Sequence, residues 1–254
     1  MLFANSISRI GAKTLIAVSA LAALAACTGP RDSTGIFDPY ETANREHHET
    51  NKQLDTHVAK PVANAYGEVV PNPIRTGVSN FAQNLALPGM VINDLLQLRI
   101  DDAASNTSRF LVNSTIGLAG VLDPADAMGV PVRESDFGET LHVWGAREGA
   151  YMELPVLGPS TERDAIGKVV DFVISPTRVL LPSDVRTAQT VTGVADAANS
   201  RYRFSGTIDG VLYESEDSYA QARLLYLQNR RFQLGQNAGE EIEYTDPYDD
   251  PYAE

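Results

Sequence analysis

The chain has 254 residues, with 33 acidic against 20 basic side chains, a formal charge of −13 and one cysteine. So acidic a balance argues against nucleic-acid binding, which relies on Lys and Arg to neutralise phosphates. It also argues against attachment to anionic lipid by charge alone. An exported protein would be expected to pair its cysteines, so a lone one calls for another role.

The N-terminus supplies that role. Arg9 and Lys13 are the only charges before an apolar run from Leu15 to Ala26 in which nothing is more polar than Ser19. That is the length of a signal-peptide core, whereas a membrane-spanning helix needs about 20 apolar residues. The run ends in Leu24-Ala25-Ala26-Cys27, which has the shape of a lipobox. Small residues fit the peptidase pocket, and the Cys27 thiol is the nucleophile that takes up diacylglycerol. Residues 1–26 are therefore predicted to be an export signal, and Cys27 the lipid-bearing first residue of the mature chain. A stray free thiol beside an ordinary secretory signal would leave the position, spacing and count of Cys27 unexplained. Thr28 stands where an aspartate would suggest inner-membrane retention, so the periplasmic face of the outer membrane is the expected destination. Each buried methylene of the anchor contributes about 0.8 kcal/mol, and a triacylated terminus carries more than one chain. Removing 26 of the 254 residues leaves 228, and losing the two cations takes the charge from −13 to −15.

After a polar tether over 27–37, Asp38-Pro39 reads as a helix start, with Asp38 as N-cap and Pro39 in the first turn. The helix is predicted to reach about Lys60, before Pro61, and to continue as an apolar stripe through Val62, Ala65 and Tyr66 to Val70. A second begins near Pro73 with Ile74, Val78, Phe81 and Leu85 on one face, and Pro88-Gly89 is expected to break it. Asp101 or Asp102 should cap the next, which carries Phe110, Leu111 and Val112 into the glycine-punctuated run Ile116–Leu122. Residues 123–160 read as mostly irregular, with a short extended piece near 152–157. Ser160 or Thr161 caps a helix with Ile166, Val169, Val170, Val173 and Ile174 on one side, ended by Pro176. Helices over about 183–202 and 215–234 follow. Residues 237–254 carry seven acidic side chains and no basic ones, the composition of a disordered tail. The expected fold is mainly α, one helical domain over 38–236.

Catalytic chemistry finds little support. No Gly-x-Ser-x-Gly elbow occurs. Ser135 and His142 are the nearest Ser–His pairing, with nothing to mark either as activated. His47, His48 and His57 with Glu46 and Glu49 lack the His-Glu-x-x-His spacing of zinc enzymes, and consecutive histidines on a helix diverge by about 100°. No catalytic residue, metal site or cofactor is predicted.

Ordered sequence blocks run through the chain from Asp38. They include Asp38-Pro39-Tyr40-Glu41, Lys60-Pro61-Val62-Ala63, Arg109-Phe110-Leu111-Val112-Asn113-Ser114-Thr115-Ile116-Gly117 and Asp136-Phe137-Gly138-Glu139-Thr140-Leu141. Leu154-Pro155-Val156-Leu157-Gly158-Pro159-Ser160-Thr161 and, near the end, Asp217-Ser218-Tyr219 with Arg223, Tyr226-Leu227-Gln228 and Arg230 complete the set. In these blocks the chain resembles the MlaA (VacJ) family of outer-membrane lipoproteins over roughly residues 38–236. It departs at His48 and Thr50, where members often carry phenylalanine, and in its acidic tail.

The resemblance implies a ring-like helical protein partly embedded in one leaflet, with an amphipathic channel. It implies a non-enzymatic role: removing phospholipids that have strayed into the outer leaflet and passing them to a soluble periplasmic lipid carrier, with a trimeric porin as membrane partner. Arg109, Phe110, Asn113 and Phe137 are the candidate lipid-path residues, chosen for the polar–apolar juxtaposition in their blocks. Three less favoured readings compete: that the apolar segments form the core of a soluble domain tethered by Cys27, that the chain is a porin-associated scaffold carrying no lipid, and that it is a lipid-modifying enzyme.

Overall fold

The computed structural model describes residues 36–177 and 182–235. The signal, Cys27, nearly all of the tether and the acidic tail lie outside the described residues. Helix α1 spans Glu41–Leu54, a π-helical turn covers Asp55–Ala59, and α2 spans Lys60–Val69. Helices α3 (Asn72–Leu96) and α4 (Ile100–Thr115) pack side by side, and the short α5 (Pro124–Ala127) and α6 (Phe137–Val143) follow. A hairpin of β1 (Tyr151–Leu154) and β2 (Gly158–Thr161) leads into α7 (Glu162–Ile174). Then come α8 (Ser183–Arg203), α9 (Ser205–Asp209), a second π-helical turn over Gly210–Glu214, and α10 (Ser218–Gln233). The chain is thus mainly α, as its sequence implies.

The burial pattern is inverted. Along α4 the buried stripe is Ala103, Asn106, Arg109 and Asn113, while Ile100 and Leu111 on the other side are exposed. Spacings of three and four residues put those side chains on one face of a helix, and here that face is polar. Helix α7 repeats the pattern, burying Arg163 and Asp164 and exposing Val169, Phe172 and Val173. Among the described residues, buried polar side chains outnumber buried apolar ones, and the apolar core proper is small: Tyr151, Tyr219 and Leu227.

Several local expectations give way for physical reasons. Asp38 is not an N-cap, because Tyr40 holds that position. The Asp38 carboxylate instead accepts from Asn44 (2.8 Å), from the Tyr219 hydroxyl and from Arg223 (2.5 Å), which ties the chain start to α10. The helical path does not stop at Lys60, since Pro61 falls in the first turn of α2, where its missing N–H costs nothing. Pro88-Gly89 lies inside α3 without breaking it; tertiary packing along α4 holds the segment. Neither Asp101 nor Asp102 caps α4; both sit in its first turn beyond Arg99, where their charge complements the helix dipole. The middle is more ordered than composition suggests. Asp123 and Asp136 cap α5 and α6, and the hairpin pairs Tyr151 with Thr161. Thr161 does cap α7, accepting from the Asp164 amide at 3.3 Å.

Two amides on α1 complete the open edge of β1. Asn44 donates to the Tyr151 carbonyl at 3.1 Å and accepts from the Glu153 amide at 2.9 Å. Two turns on, Asn51 accepts from the Val156 amide at 2.7 Å and donates to the Leu154 carbonyl at 3.0 Å. His48 is buried against Glu153 and Ser218. A strand only four residues long cannot stand alone in water, and this one is satisfied by helix side chains.

Arg230 on α10 fastens α6 and α7, meeting Asp136 at 2.7 Å and Asp164 at 3.1 Å. Burial alone would raise the Asp164 pKa, but the Arg230 and Arg163 charges outweigh it and hold the group at about 2. A folded pKa below the ordinary value of 3.8 means the stabilisation is complete above that value and vanishes as pH falls toward 2. The contribution is on the order of 2 kcal/mol. An acid titration of thermal stability in detergent should therefore show a loss between pH 4 and 2 that Asp164→Asn largely removes. A variant with an unchanged acid limb would assign the loss to other carboxylates. Gly67 is pressed under Tyr202, whose ring lies 2.3 Å from where a Cβ would stand. Gly67→Ala should lower stability by about 1–3 kcal/mol, whereas Gly89→Ala, in open space, should not. Equal melting temperatures for the two variants would show that the Tyr202 ring yields freely.

Candidate functional site

Four parts of the chain meet at a cavity of about 290 Å³. Helix α3 presents Asn80, Gln83, Asn84, Leu87 and Met90; α4 presents Arg109 and Asn113; α8 presents Asp196. Asp123, Val132 and Glu134 come from the connections around α5. The inward polar stripes of α3 and α4 create most of this wall: α4 turns Arg109 and Asn113 to it and Leu111 away, and α3 contributes amides together with Leu87 and Met90.

One carboxylate organises the wall. Asp123 accepts from Arg109 Nη2 at 2.5 Å, from Asn113 Nδ2 at 2.8 Å and from the Asp126 amide at 3.1 Å. Asn113 returns the contact by accepting from the Ala125 amide at 3.1 Å, and Arg109 also donates to the Val130 carbonyl. Asn84 donates to Ser114 at 3.0 Å and is backed by Gly120, where a Cβ would come within 2.5 Å of the Asn84 amide nitrogen. Gly120 also has φ +95°, in the left-handed region that glycine alone adopts readily. Any other residue there would be strained and would displace Asn84.

Valence is left over. Arg109 Nε and Asn84 Oδ1 are buried without a hydrogen-bond partner among the described residues. An unmet buried polar group costs about 1–3 kcal/mol, so these atoms mark where a polar guest would be stabilised. Glu134 also lines a second cavity, of about 200 Å³, with Asp136, Glu139 and Arg230.

Of the residues singled out in the sequence, Arg109 and Asn113 come together at the first cavity. Phe110, half-buried on the same helix, is not among the residues lining it, and neither is Phe137. Phe137 opens α6, its amide donating to Asp171 at 3.0 Å and its ring standing edge-on to Trp144 at 5.8 Å. Cys27 lies outside the described residues. Asn80, Gln83, Asn84, Asp123, Glu134 and Asp196 went unselected. The signal for the first three was present, amides spaced three and four apart inside an otherwise apolar stretch. The last three become neighbours only through the fold. The α1 histidines turn to separate partners, His47 to the Glu153 carbonyl and His57 to the Gln53 carbonyl. The Ser135 hydroxyl accepts from Gln97 at 2.9 Å. No group of three or more His, Cys, Asp or Glu able to hold a metal occurs among the described residues.

A family model described as MlaA lipoprotein matches residues 36–233. The intermembrane phospholipid transport system lipoprotein MlaA of Escherichia coli (strain K12) is 32% identical over 206 residues, covering 79% of this chain and 80% of that protein. An uncharacterised protein of Rickettsia felis is 31% identical over 199 residues, 77% of this chain and 78% of its own length. A solved structure concerned with the structural basis for maintenance of bacterial outer membrane lipid asymmetry aligns with TM-score 0.67. Its identity is 29%, with 78% of this chain and 98% of that one covered.

The role of Asp123 can be tested directly. Replacing it with asparagine removes the charge facing buried Arg109, and breaking such a pair costs on the order of 3 kcal/mol. Asp123→Asn should therefore lower the melting temperature clearly, while Glu134→Gln, on an exposed side chain, should stay within about 0.5 kcal/mol of the parent. Equal stability of Asp123→Asn and the parent would mean that the Arg109 charge is answered elsewhere.

Proposed function

This chain belongs to the MlaA lipoprotein family, and we propose that it removes mislocalised phospholipids from the outer leaflet of the outer membrane and passes them to a soluble periplasmic carrier. The result is maintained lipid asymmetry. The observation that carries this reading is the inverted architecture: a polar cavity enclosed by helices whose aliphatic side chains face outward. Val169, Phe172 and Val173 on α7, Val191 and Val194 on α8, and Leu118, Val121 and Leu122 after α4 are all exposed. In water such a surface is costly, whereas against acyl chains it is at home. No described helix is long and apolar enough to cross a membrane, which suits a ring-like body partly embedded in a single leaflet.

In this mechanism the protein is a passive conduit. The lipid headgroup moves through the polar cavity, where Arg109 and Asn113 offer hydrogen bonds, while the tails follow the outward apolar surface with Phe110 and Phe137 at its borders. No bond is made or broken, so the chain is not proposed as an enzyme. Direction comes from the carrier that takes the lipid away. The proposed organisation is a signal over 1–26, an acylated Cys27 on a tether to residue 37, the transporting body over 38–236 and an acidic tail beyond. The lipid anchor would hold the body at the periplasmic face, beside a trimeric porin.

The test is the amount of phospholipid exposed in the outer leaflet of cells lacking the protein. Deletion should raise it, a wild-type copy should restore it, and a Cys27→Ala copy should not. Unchanged exposure, with the protein demonstrably made and membrane-bound in the parent, would sink the retrieval reading in favour of a scaffold.

A further inference from the structure

The charges around the main cavity do not balance. Arg109 is its single lining cation, and Asp123 at 2.5 Å already answers that charge. Glu134 and Asp196 remain, and neither has a hydrogen bond or ion pair among the described residues. In the adjoining cavity Arg230 answers Asp136 at 2.7 Å and Arg99 answers Glu139 at 2.6 Å, which again leaves Glu134 without a cation. Two buried atoms in the wall of the main cavity also await a partner. Arg109 Nε is a donor on a side chain 7% exposed, and Asn84 Oδ1 is an acceptor on one 3% exposed. Gly120 behind Asn84 and Ser114 beside it fix that acceptor in place.

We propose that this cavity selects phospholipids whose headgroup carries an ammonium group, with Glu134 and Asp196 as the selecting residues. The inference rests on the transport reading and names the substrate class of that same site. A zwitterionic headgroup matches both halves of the wall. Its phosphate takes the Arg109 Nε–H and neighbouring amide donors, and its ammonium meets the two free carboxylates and the Asn84 acceptor. An anionic headgroup with a neutral polyol brings the phosphate without the cation, so it leaves both carboxylates unanswered and adds a like charge beside them. Hydrogen bonds to charged groups are the stronger class, and in a partly enclosed site the charge difference is screened less than in bulk water.

The experiment uses the purified full-length lipoprotein, equilibrated with vesicles of equal parts phosphatidylethanolamine and phosphatidylglycerol, re-isolated, and its bound lipid counted by mass spectrometry. Phosphatidylethanolamine should be enriched about three-fold or more, the scale set by one partly exposed ion pair. Glu134→Gln with Asp196→Asn should bring the ratio to parity by lowering the phosphatidylethanolamine bound. Glu134→Lys alone, at a position where burial does not threaten folding, should favour phosphatidylglycerol. Equal ratios in the parent, or an enrichment that survives all these substitutions, overturn the headgroup inference and leave transport standing. Absence of phospholipid from every protein overturns both. The carboxylates could instead hold a divalent cation, so the measurement is repeated with chelator. Enrichment that persists supports direct ammonium recognition, and enrichment lost on chelation assigns the carboxylates to a metal and overturns the proposal.

Discussion

A charge removed from water must be answered by another charge within reach, and the arrangement of this protein follows from that constraint. Asp164, 4% exposed, is held between Arg163 and Arg230. Arg201 reaches Asp55 at 2.8 Å and Asp209 at 2.6 Å, drawing together the first π-helical turn and the stretch that leads into the second. Arg75 donates to Asn199 at 2.8 Å and so joins α3 to α8. The ties from Arg230, Arg201 and Arg75 join separate elements, and none of these positions can be shifted without stranding a buried ion. Apolar packing, the usual adhesive of helical proteins, has a minor part inside.

Because the interior is polar, the aliphatic side chains are free for the exterior, and the two facts support one function. A helix such as α4 lines the cavity with Asn113 and Arg109 while Leu111 faces outward. A hydrophobic core of the ordinary kind would fill the same volume with methyl groups and leave no route for a phosphate. The acidic composition is compatible with this, since the outward-facing aliphatic groups carry no charge. Stability and the shape of the cavity therefore draw on the same residues. Asp123 serves as the N-cap of α5, the counter-ion of Arg109 and part of the cavity wall at once.

Much of this was legible from the sequence, within definite bounds. Helical periodicity and the Thr161 cap located most elements, because those signals are local. Ile166, Val169 and Val173 were correctly placed on one side of α7. The outward direction of that side was not legible, since periodicity gives a face but no sign. Pro61 and Pro88 read locally as helix ends because proline lacks an N–H, yet a first-turn position and lateral packing accommodate them. Asp38 looked like a cap from its neighbours and proved to be a long-range partner, a role that no local pattern encodes. Arg109 and Asn113 were picked from a single block. Asp123, Glu134 and Asp196 could not be added, because only the folded chain sets them opposite α3.

The ties between α1 and α10 bear on the order in which the protein can form. Asp38 bonds Tyr219 and Arg223, residues 181 and 185 positions away, and Arg45 bonds Asp217 across 172 positions. Contacts this distant in sequence close late, because loop entropy must be overcome before they yield anything. Helix α1 thus depends for its permanent neighbours on the last helix of the described chain. Until α10 arrives, its buried face of Asn44 and His48 has only the hairpin to meet. The final helix therefore supplies the contacts that close the described body, joining its first and last elements.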